Sequence, residues 1–284
     1  MSVSIAEAVL EASRLLRKAG VPEARRDAGS LLENVIKKDR TYLISHGEDT
    51  LDTHDLIRFR ADVERRAAGE PLQYITGSQD FYGRTFHVTS AVLIPRPETE
   101  LLVEAALELM SDSFVFCDVG TGSGCISISL LCERAAVRGI ALDVSEAALE
   151  IARQNAVSFN VDERLTFGIS DCFESLPDTF SSFDLIVSNP PYIAGDVIDA
   201  LQREVRDHEP LIALSPGTDG LAIIRRLIEE APAFLRKDGF LLLEIGFDQG
   251  ETVRELVDQN IWKLIEIRPD LQGIPRIVIL QKLK

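Results

Sequence analysis

The stretch that decides how this chain is organised reads Asp118-Val119-Gly120-Thr121-Gly122-Ser123-Gly124. The apolar run 114–119 leading into it predicts a buried strand, and the run 123–132 that follows predicts a helix. Glycines between a strand and a helix permit a tight turn and let a ligand approach the backbone N–H groups at the helix N-terminus. The stretch therefore predicts a ligand-binding turn in an α/β domain.

The glycine spacing separates this turn from the dinucleotide-binding fingerprint. The sequence reads G-x-G-x-G, whereas the fingerprint G-x-G-x-x-G requires a glycine where Cys125 stands. This difference disfavours an NAD-binding dehydrogenase.

From residue 114 onward, candidate strands and helices alternate. The candidate strands are 114–119, 137–143, 164–168, 183–188, 239–245, 262–267 and 276–281. The candidate helices are 123–132, 145–158, 219–235 and 249–258. Such alternation predicts a doubly wound, mostly parallel sheet, here with seven strands.

Polar residues follow several of these strands. Asp143 ends the second strand, where a carboxylate can accept hydrogen bonds from both hydroxyls of a ribose. Asp171 follows the third strand and could meet an adenine amino group. Ligands of open α/β sheets bind at the carboxyl ends of the strands, so the sequence predicts a nucleoside-binding site there.

The fourth strand ends in Asn189-Pro190-Pro191-Tyr192. Two prolines fix two φ angles and remove two backbone donors, which makes the turn stiff and extended. The Asn189 amide and the Pro190 carbonyl can accept hydrogen bonds from an NH2 group, and the Tyr192 ring can cover a planar one. By itself the motif also fits a plain strand-ending turn.

The segment before the sheet has a different pattern. Residues 1–75 predict three to five short helices, and residues 76–95, punctuated by Gly77 and Gly83, predict a β-hairpin linker. The helical part carries 12 basic and 13 acidic residues, and residues 76–284 carry 18 and 33. Because a strongly acidic domain repels phosphate backbones, we expect no direct nucleic-acid partner. The nearly neutral helical part is the better candidate for a docking surface.

The sequence shows no pattern typical of a metal site, a disulfide framework or a membrane-spanning segment. The four cysteines form no C-x-x-C pair and the four histidines are scattered, so neither a zinc site nor a disulfide framework is predicted. No apolar run approaches the roughly 18 residues of a membrane span, and the first residues lack a secretion signal. We expect a cytoplasmic protein with reduced cysteines.

The order of glycine loop, Asp143, Asp171 and Asn-Pro-Pro-Tyr resembles that of S-adenosylmethionine-dependent methyltransferases acting on planar amino groups. Along nearly its whole length the chain resembles the PrmC/HemK family, protein-(glutamine-N5) methyltransferases of peptide chain release factors. The stretches that carry this resemblance are 69–77 (Gly-Glu-Pro-Leu-Gln-Tyr-Ile-Thr-Gly), 93–100 (Leu-Ile-Pro-Arg-Pro-Glu-Thr-Glu), 118–124, 188–193, 209–210 with 217–221, and 244–246.

The resemblance implies a Rossmann-like methyltransferase domain over 96–284, preceded by a helical docking domain over 1–75 and the hairpin linker 76–95. It implies S-adenosyl-L-methionine as cofactor and S-adenosyl-L-homocysteine as product. The expected cofactor-binding residues are Gly120, Thr121, Gly122, Ser123, Gly124, Asp143, Asp171, Cys172 and Asn189. Cys172 would flank the adenine, where some relatives carry a large aromatic residue.

The implied substrate is the glutamine in the Gly-Gly-Gln loop of class I release factors. Asn189, Pro190, Pro191 and Tyr192 are expected to bind it, and Asn189, Pro190 and Tyr192 to act in catalysis. One alternative is an adenine-N6 nucleic-acid methyltransferase with the same turn, and another is a non-catalytic cofactor-binding protein. Arg96 and Glu98 either fix the linker and the first helix by an ion pair or touch substrate, and the segment 208–210 is interpreted as a loop anchor rather than a catalytic group.

Overall fold

The computed structural model describes residues 3–176 and 182–284. Contacts between Cα atoms divide the chain into two compact units. The helical unit comprises Met1–Ser78 and Gln202–His208, and the α/β unit comprises Gln79–Leu201 and Glu209–Lys284. Residues 202–208 lie inside the range 96–284 that the sequence assigns to one domain, yet they group with the N-terminal helices.

The regular elements are numbered in chain order. The α-helices are α1 Ile5–Lys18, α2 Ala24–Ile36, α3 Arg40–Ser45, α4 Thr53–Ala67, α5 Leu72–Thr76, α6 Glu100–Leu109, α7 Cys125–Glu133, α8 Glu146–Ser158, α9 Arg203–His208, α10 Leu211–Leu214, α11 Ala222–Glu230 and α12 Gly250–Leu256. The strands are β1 Ser78–Phe81, β2 Arg84–His87, β3 Val115–Val119, β4 Arg138–Asp143, β5 Leu165–Ile169, β6 Phe183–Ser188, β7 Leu235–Glu244, β8 Trp262–Pro269 and β9 Pro275–Lys282. None of the helices in the described ranges is long and apolar enough to cross a membrane.

Buried ion pairs explain why α9 groups with the N-terminal helices. Arg66, at the end of α4, is 6% exposed and donates to the Asp27 carboxylate at 2.8 Å. Its other guanidinium nitrogen lies 2.7 Å from Glu204 Oε2 on α9. A guanidinium so deeply buried needs partners for its charge, and α9 supplies one of them.

The sheet of the α/β unit runs in the order β5-β4-β3-β6-β7-β9-β8. β5, β4, β3, β6 and β7 pair in parallel, and β9 is antiparallel to both of its neighbours. This arrangement confirms the predicted seven-stranded, mostly parallel sheet. The predicted hairpin is formed by β1 and β2, whose two-residue turn has positive φ at Tyr82 and Gly83, as the right-handed twist of a tight hairpin requires.

Two hydrophobic layers cover the two faces of the sheet. One contains Leu102 of α6 and Ile128 of α7, and the other contains Ile224 and Leu227 of α11 together with Trp262. Every residue of β6 is buried as a result. A strand covered on both faces is apolar without alternation, which is why the run 183–188 could be recognised from the sequence.

The predicted boundaries around residue 235 are wrong. The sequence pattern extends a helix over 219–235, but α11 ends at Glu230 and a short 3-10 turn follows over Ala231–Ala233. Pro232 has no N–H to donate and cannot continue the helix. β7 therefore begins at Leu235, earlier than the predicted start at residue 239.

Candidate active site

A cavity of about 350 Å³ opens at the carboxyl ends of the parallel strands. Val119 at the end of β3 and Ser188 at the end of β6 both line it. These two strands are neighbours where the strand order reverses, the point at which open α/β sheets bind ligands. The volume is that of a small-molecule site.

Eight of the residues predicted from the sequence line this one cavity. They are Gly120, Gly122, Asp143, Asp171, Cys172, Asn189, Pro190 and Pro191. Thr121, Ser123, Gly124 and Tyr192 are not among its lining residues. The cavity thus unites both halves of the predicted site.

The glycines of the loop after β3 have two different roles. Gly120 (φ +75°) and Gly122 (φ +56°) line the cavity, and a Cβ atom built on either would meet nothing within 4 Å. Gly124 (φ +79°) is packed, because a Cβ there would lie 2.8 Å from Ile128 Cδ1. The first two glycines therefore leave open space along the wall, and the third permits close packing of α7.

The backbone N–H groups of this loop are largely used within the protein. Those of Gly120 and Thr121 donate to the Leu142 carbonyl at 2.8 and 2.9 Å. The N–H of Gly122 donates to Asp143 Oδ2 at 2.9 Å, and that of Gly124 to the Thr121 carbonyl at 2.9 Å. The loop consequently gives a ligand room to approach the backbone, but these four N–H groups are not free to donate to it.

Thr121 and Ser123 are buried beneath the loop. The Thr121 hydroxyl donates to Asp118 Oδ2 at 2.7 Å. Asp118 is fully buried, and burial raises its pKa to about 6 in spite of the hydrogen bonds from Thr121 and Ser127. The hydrogen bond between Thr121 and Asp118 therefore fixes the shape of the loop from beneath.

Asp143 is held in one orientation by two backbone groups. Its Oδ2 accepts from Gly122 N–H, and its Oδ1 accepts from Ser145 N–H at 2.9 Å. Burial raises the pKa of this carboxyl, while the two backbone donors oppose the rise. Each oxygen keeps acceptor capacity for a ligand hydroxyl.

Asp171 and Cys172 form another part of the wall. Asp171 Oδ1 accepts from the Arg226 guanidinium at 2.8 Å, and no sequence pattern predicts this partner on α11. Cys172 adopts a positive φ of 49° and is 4% exposed. Burial raises the pKa of its thiol to about 11, so the group is a neutral, small wall residue near neutral pH.

The beginning of the Asn-Pro-Pro-Tyr turn is held in place by side-chain hydrogen bonds. The Ser188 hydroxyl donates to the Val119 carbonyl at 2.6 Å. Asn189 Nδ2 donates to Thr99 Oγ1 at 3.0 Å. With its amide nitrogen committed to Thr99, Asn189 has its Oδ1 as the group left to accept a hydrogen bond from a ligand.

Tyr192 is anchored away from the cavity wall. Its hydroxyl donates to Glu244 Oε1 at 3.3 Å, and its carbonyl accepts from Gln249 Nε2 at 3.0 Å. Its ring packs against the hydrophobic layer that contains Ile224 and Leu227, and burial raises the pKa of its hydroxyl. A contact between this ring and substrate stays a prediction.

Sequence reasoning assigned no role to Thr99 or Glu244 and left that of Arg96 open. Arg96 donates to Glu209 Oε1 at 2.5 Å, and the Ile94 N–H donates to Glu209 Oε2 at 3.3 Å. The structure shows an ion pair of Arg96 with Glu209, and a contact of Arg96 or Glu98 with substrate stays an untested alternative. Glu209 and Glu244 lie in stretches that carry the family resemblance, but only the fold brings them to their partners.

Known proteins match this chain over both units. Residues 7–77 match the family described as the PrmC N-terminal domain, and residues 97–208 match the methyltransferase small domain. A release factor glutamine methyltransferase of Cereibacter sphaeroides is 46% identical over 274 residues, covering 96% of each chain. One of Koribacter versatilis is 40% identical over 282 residues, covering 99% of each chain.

Solved structures of lower identity share the fold. The hMettl16 catalytic domain, in complex with an RNA hairpin, superposes with a TM-score of 0.58 at 16% identity, covering 86% of this chain and 92% of that one. A methyltransferase from Pyrococcus furiosus gives a TM-score of 0.55 at 16% identity, covering 82% and 100%. Likeness at this identity speaks for the fold alone, whereas the sequence matches extend over both units, and by them this chain belongs to the release factor glutamine methyltransferase family.

Proposed function

We propose that this protein transfers the methyl group of S-adenosyl-L-methionine to the side-chain nitrogen, N5, of the glutamine in the Gly-Gly-Gln motif of class I peptide chain release factors. The observation that carries the proposal is that one cavity is lined both by Gly120, Gly122 and Asp143 and by Asn189-Pro190-Pro191. The first group suits a nucleoside, and the second suits a planar NH2 group. The names of the relatives supply the identity of the acceptor.

The chemistry of the lining residues fits the cofactor. Gly120 and Gly122 leave room along the wall, and the oriented Asp143 carboxylate suits the two ribose hydroxyls. Cys172 and Ile223 offer small and apolar surface for the adenine, with Asp171 beside them. When bound, S-adenosylmethionine supplies an electrophilic methyl group on a positively charged sulfur, and it leaves as S-adenosylhomocysteine.

The acceptor nitrogen is the difficult partner, because its lone pair is delocalised into the amide carbonyl. In the proposed complex, Asn189 Oδ1 and the Pro190 carbonyl each accept one N–H of the glutamine amide. Two fixed acceptors favour the pyramidal, partly positive nitrogen of the transition state over the planar ground state. The nitrogen loses one proton to water as its bond to carbon forms, so the proposal requires no dedicated base.

The roles proposed for the domains follow from their charge. The helical docking domain, residues 1–75, is close to neutral and meets the body of the release factor, with residues 76–95 as linker and 96–284 as the methyltransferase domain. The excess of 15 acidic residues over 76–284 disfavours direct binding of nucleic acid. Release factors act in translation, so the proposed compartment is the cytoplasm.

Methyl transfer can be measured with labelled S-adenosylmethionine and a purified class I release factor. We expect label on the wild-type factor and none on a factor whose Gly-Gly-Gln glutamine is replaced by alanine. Equal label on both factors would refute the assignment of the acceptor. Label on adenine-containing DNA or RNA in place of the factor would instead support the adenine-N6 alternative.

A further inference from the structure

A short series of buried polar side chains lies behind Asn189. Asn189 Nδ2 donates to Thr99 Oγ1 at 3.0 Å, and the Tyr192 hydroxyl donates to Glu244 Oε1 at 3.3 Å. Thr99 is 2% exposed and Glu244 is 1% exposed. Buried polar groups of this kind cost stability unless they are hydrogen-bonded, so their presence beside the Asn-Pro-Pro-Tyr turn calls for a physical explanation.

The number of protons on each side chain decides which group donates and which accepts in these hydrogen bonds. A threonine hydroxyl has one proton, and an ionised carboxylate has none. Because Thr99 Oγ1 already accepts the Asn189 N–H, its own proton is available to another acceptor. The Thr99 hydroxyl lies beside Glu244 and lowers the pKa of that carboxyl. Oε2 of Glu244 is buried with no hydrogen-bond partner among the described residues, which leaves it as an acceptor for that proton.

We infer that Thr99 and Glu244 are positioning residues that hold the Asn189 amide with Oδ1, and not its NH2 group, turned toward the substrate amide. The inference rests on the proposed function. Neither residue is assigned contact with substrate or cofactor. They act through Asn189, because they decide whether its oxygen or its nitrogen faces the substrate amide.

The need for such a device follows from the shape of the asparagine side chain. A rotation of 180° about its terminal bond exchanges oxygen and nitrogen with little change in volume. The rotated amide would direct its NH2 group at the NH2 group of the glutamine, which removes an acceptor and opposes two donors. An ionised Glu244 prevents the rotation because it can only accept, and so it keeps Thr99 as donor to Glu244 and acceptor from Asn189.

Protonation of Glu244 would remove this constraint. A protonated carboxyl can donate to Thr99 Oγ1, and Thr99 can then donate to Asn189 Oδ1, which favours the rotated amide. Burial raises the pKa of Glu244 to about 7. The charge of Glu98 adds to the rise, while the hydrogen bond from Tyr192, the nearby Thr99 hydroxyl and the charge of Arg276 oppose it. The Cys125 thiol also faces Glu244, and burial keeps it neutral by raising its pKa to about 12.

The experiment measures kcat between pH 6 and 8, with labelled S-adenosylmethionine and purified release factor, for the wild type and three variants. Thr99→Val keeps the side-chain shape but removes the hydroxyl, and a misplaced Asn189 lowers kcat by about 100-fold. Thr99→Ser restores the hydroxyl and most of the lost rate. Glu244→Gln cannot ionise and can donate to Thr99 at every pH, so its kcat stays low across the range and the fall below pH 7 that the wild type shows is absent.

The controls separate positioning from general damage. Thr166→Val, on the exposed side of β5, should leave kcat unchanged, and so should Glu266→Gln on β8. Cofactor affinity, measured by calorimetry, should be the same in all Thr99 variants. A KM for release factor that rises while kcat holds would assign Thr99 to binding and contradict the inference.

Two results would overturn the inference while leaving the proposed function intact: wild-type kcat in Thr99→Val, or the same acid fall of kcat in Glu244→Gln as in the wild type. Failure of the wild-type protein to methylate the release factor at any pH would overturn the proposed function itself, and the inference with it.

Discussion

Arg96 and Glu209 form an ion pair with 2.5 Å between guanidinium nitrogen and carboxylate oxygen, and the Glu209 side chain is only 1% exposed. The same carboxylate accepts from the backbone N–H of Ile94. Ala91–Leu93 precede this contact and Pro210 follows Glu209, and both segments line the cavity. One buried carboxylate therefore ties together two parts of the cavity wall that are far apart in sequence.

Replacing Glu209 by alanine should loosen that wall. The change leaves Arg96 and the Ile94 N–H without their acceptor, and because the Arg96 side chain is 32% exposed, water can compensate in part. We expect the free energy of unfolding to fall by about 2 kcal/mol and cofactor affinity to weaken with it. Urea denaturation and calorimetry measure the two effects. Glu251→Ala, at a side chain that is 87% exposed, is the control and should change neither.

Asp143→Ala should act on cofactor binding. Its carboxylate is oriented by the N–H groups of Gly122 and Ser145, and hydrogen bonds to a charged group contribute about 1.5–3 kcal/mol each. A loss of roughly 10- to 100-fold in affinity for S-adenosylmethionine follows. Calorimetric titration of the variant, with the exposed Asp162→Ala as control, tests this, and unchanged affinity would exclude the ribose role.

Asn189→Ala should act on turnover instead. The variant loses the Oδ1 acceptor proposed to hold the glutamine amide, and loss of one preorganised hydrogen-bond partner of a transition state lowers kcat by about 100- to 1000-fold. Affinity for S-adenosylmethionine should stay near that of the wild type. Single-turnover methyl transfer measures the step directly, with the exposed Asn260→Ala as matched control. Near wild-type turnover would rule out the proposed mechanism.

Glu244 should make the stability of the fold depend on pH. Its pKa is about 7 in the folded protein, above the ordinary value of 4.5. A folded state that binds the proton more tightly than the unfolded chain loses stability as pH rises through this interval, here by about 3 kcal/mol between pH 4.5 and 7. Glu244→Gln cannot ionise and escapes this loss.

The measurement is urea denaturation of the wild type and of Glu244→Gln at several pH values. We expect the variant to gain about 3 kcal/mol relative to the wild type between pH 4.5 and 8. A difference between the two proteins that does not change with pH would contradict the raised pKa. Together with the expected effect of Glu244→Gln on kcat, such a gain would mean that the ionised carboxylate is retained for activity at a cost in stability.

The apolar periodicity and the positions of glycine and proline predicted most of the helices and strands. β6 was predicted with both of its boundaries because it is buried on both faces and ends at Asn189-Pro190, so that composition and backbone chemistry agree. The helix predicted over 219–235 was too long because apolar periodicity continues past Glu230, while Pro232 ends the hydrogen-bond ladder. Short helices such as α9 offer too few residues for a periodic pattern.

The sequence by itself determined the ligand-binding edge of this protein. Residues that follow parallel strands must meet at one edge of the sheet, so the glycine loop, Asp143 and Asn189 could be placed together from their order alone. Only the tertiary structure decided what stands behind them: Thr99 on Asn189, Glu244 on Tyr192, and Glu209 on Arg96. A hydrogen bond forms only when the donor–acceptor distance is right to within a few tenths of an ångström. These pairs join side chains 52 to 113 residues apart in the chain, and no local pattern encodes such a distance.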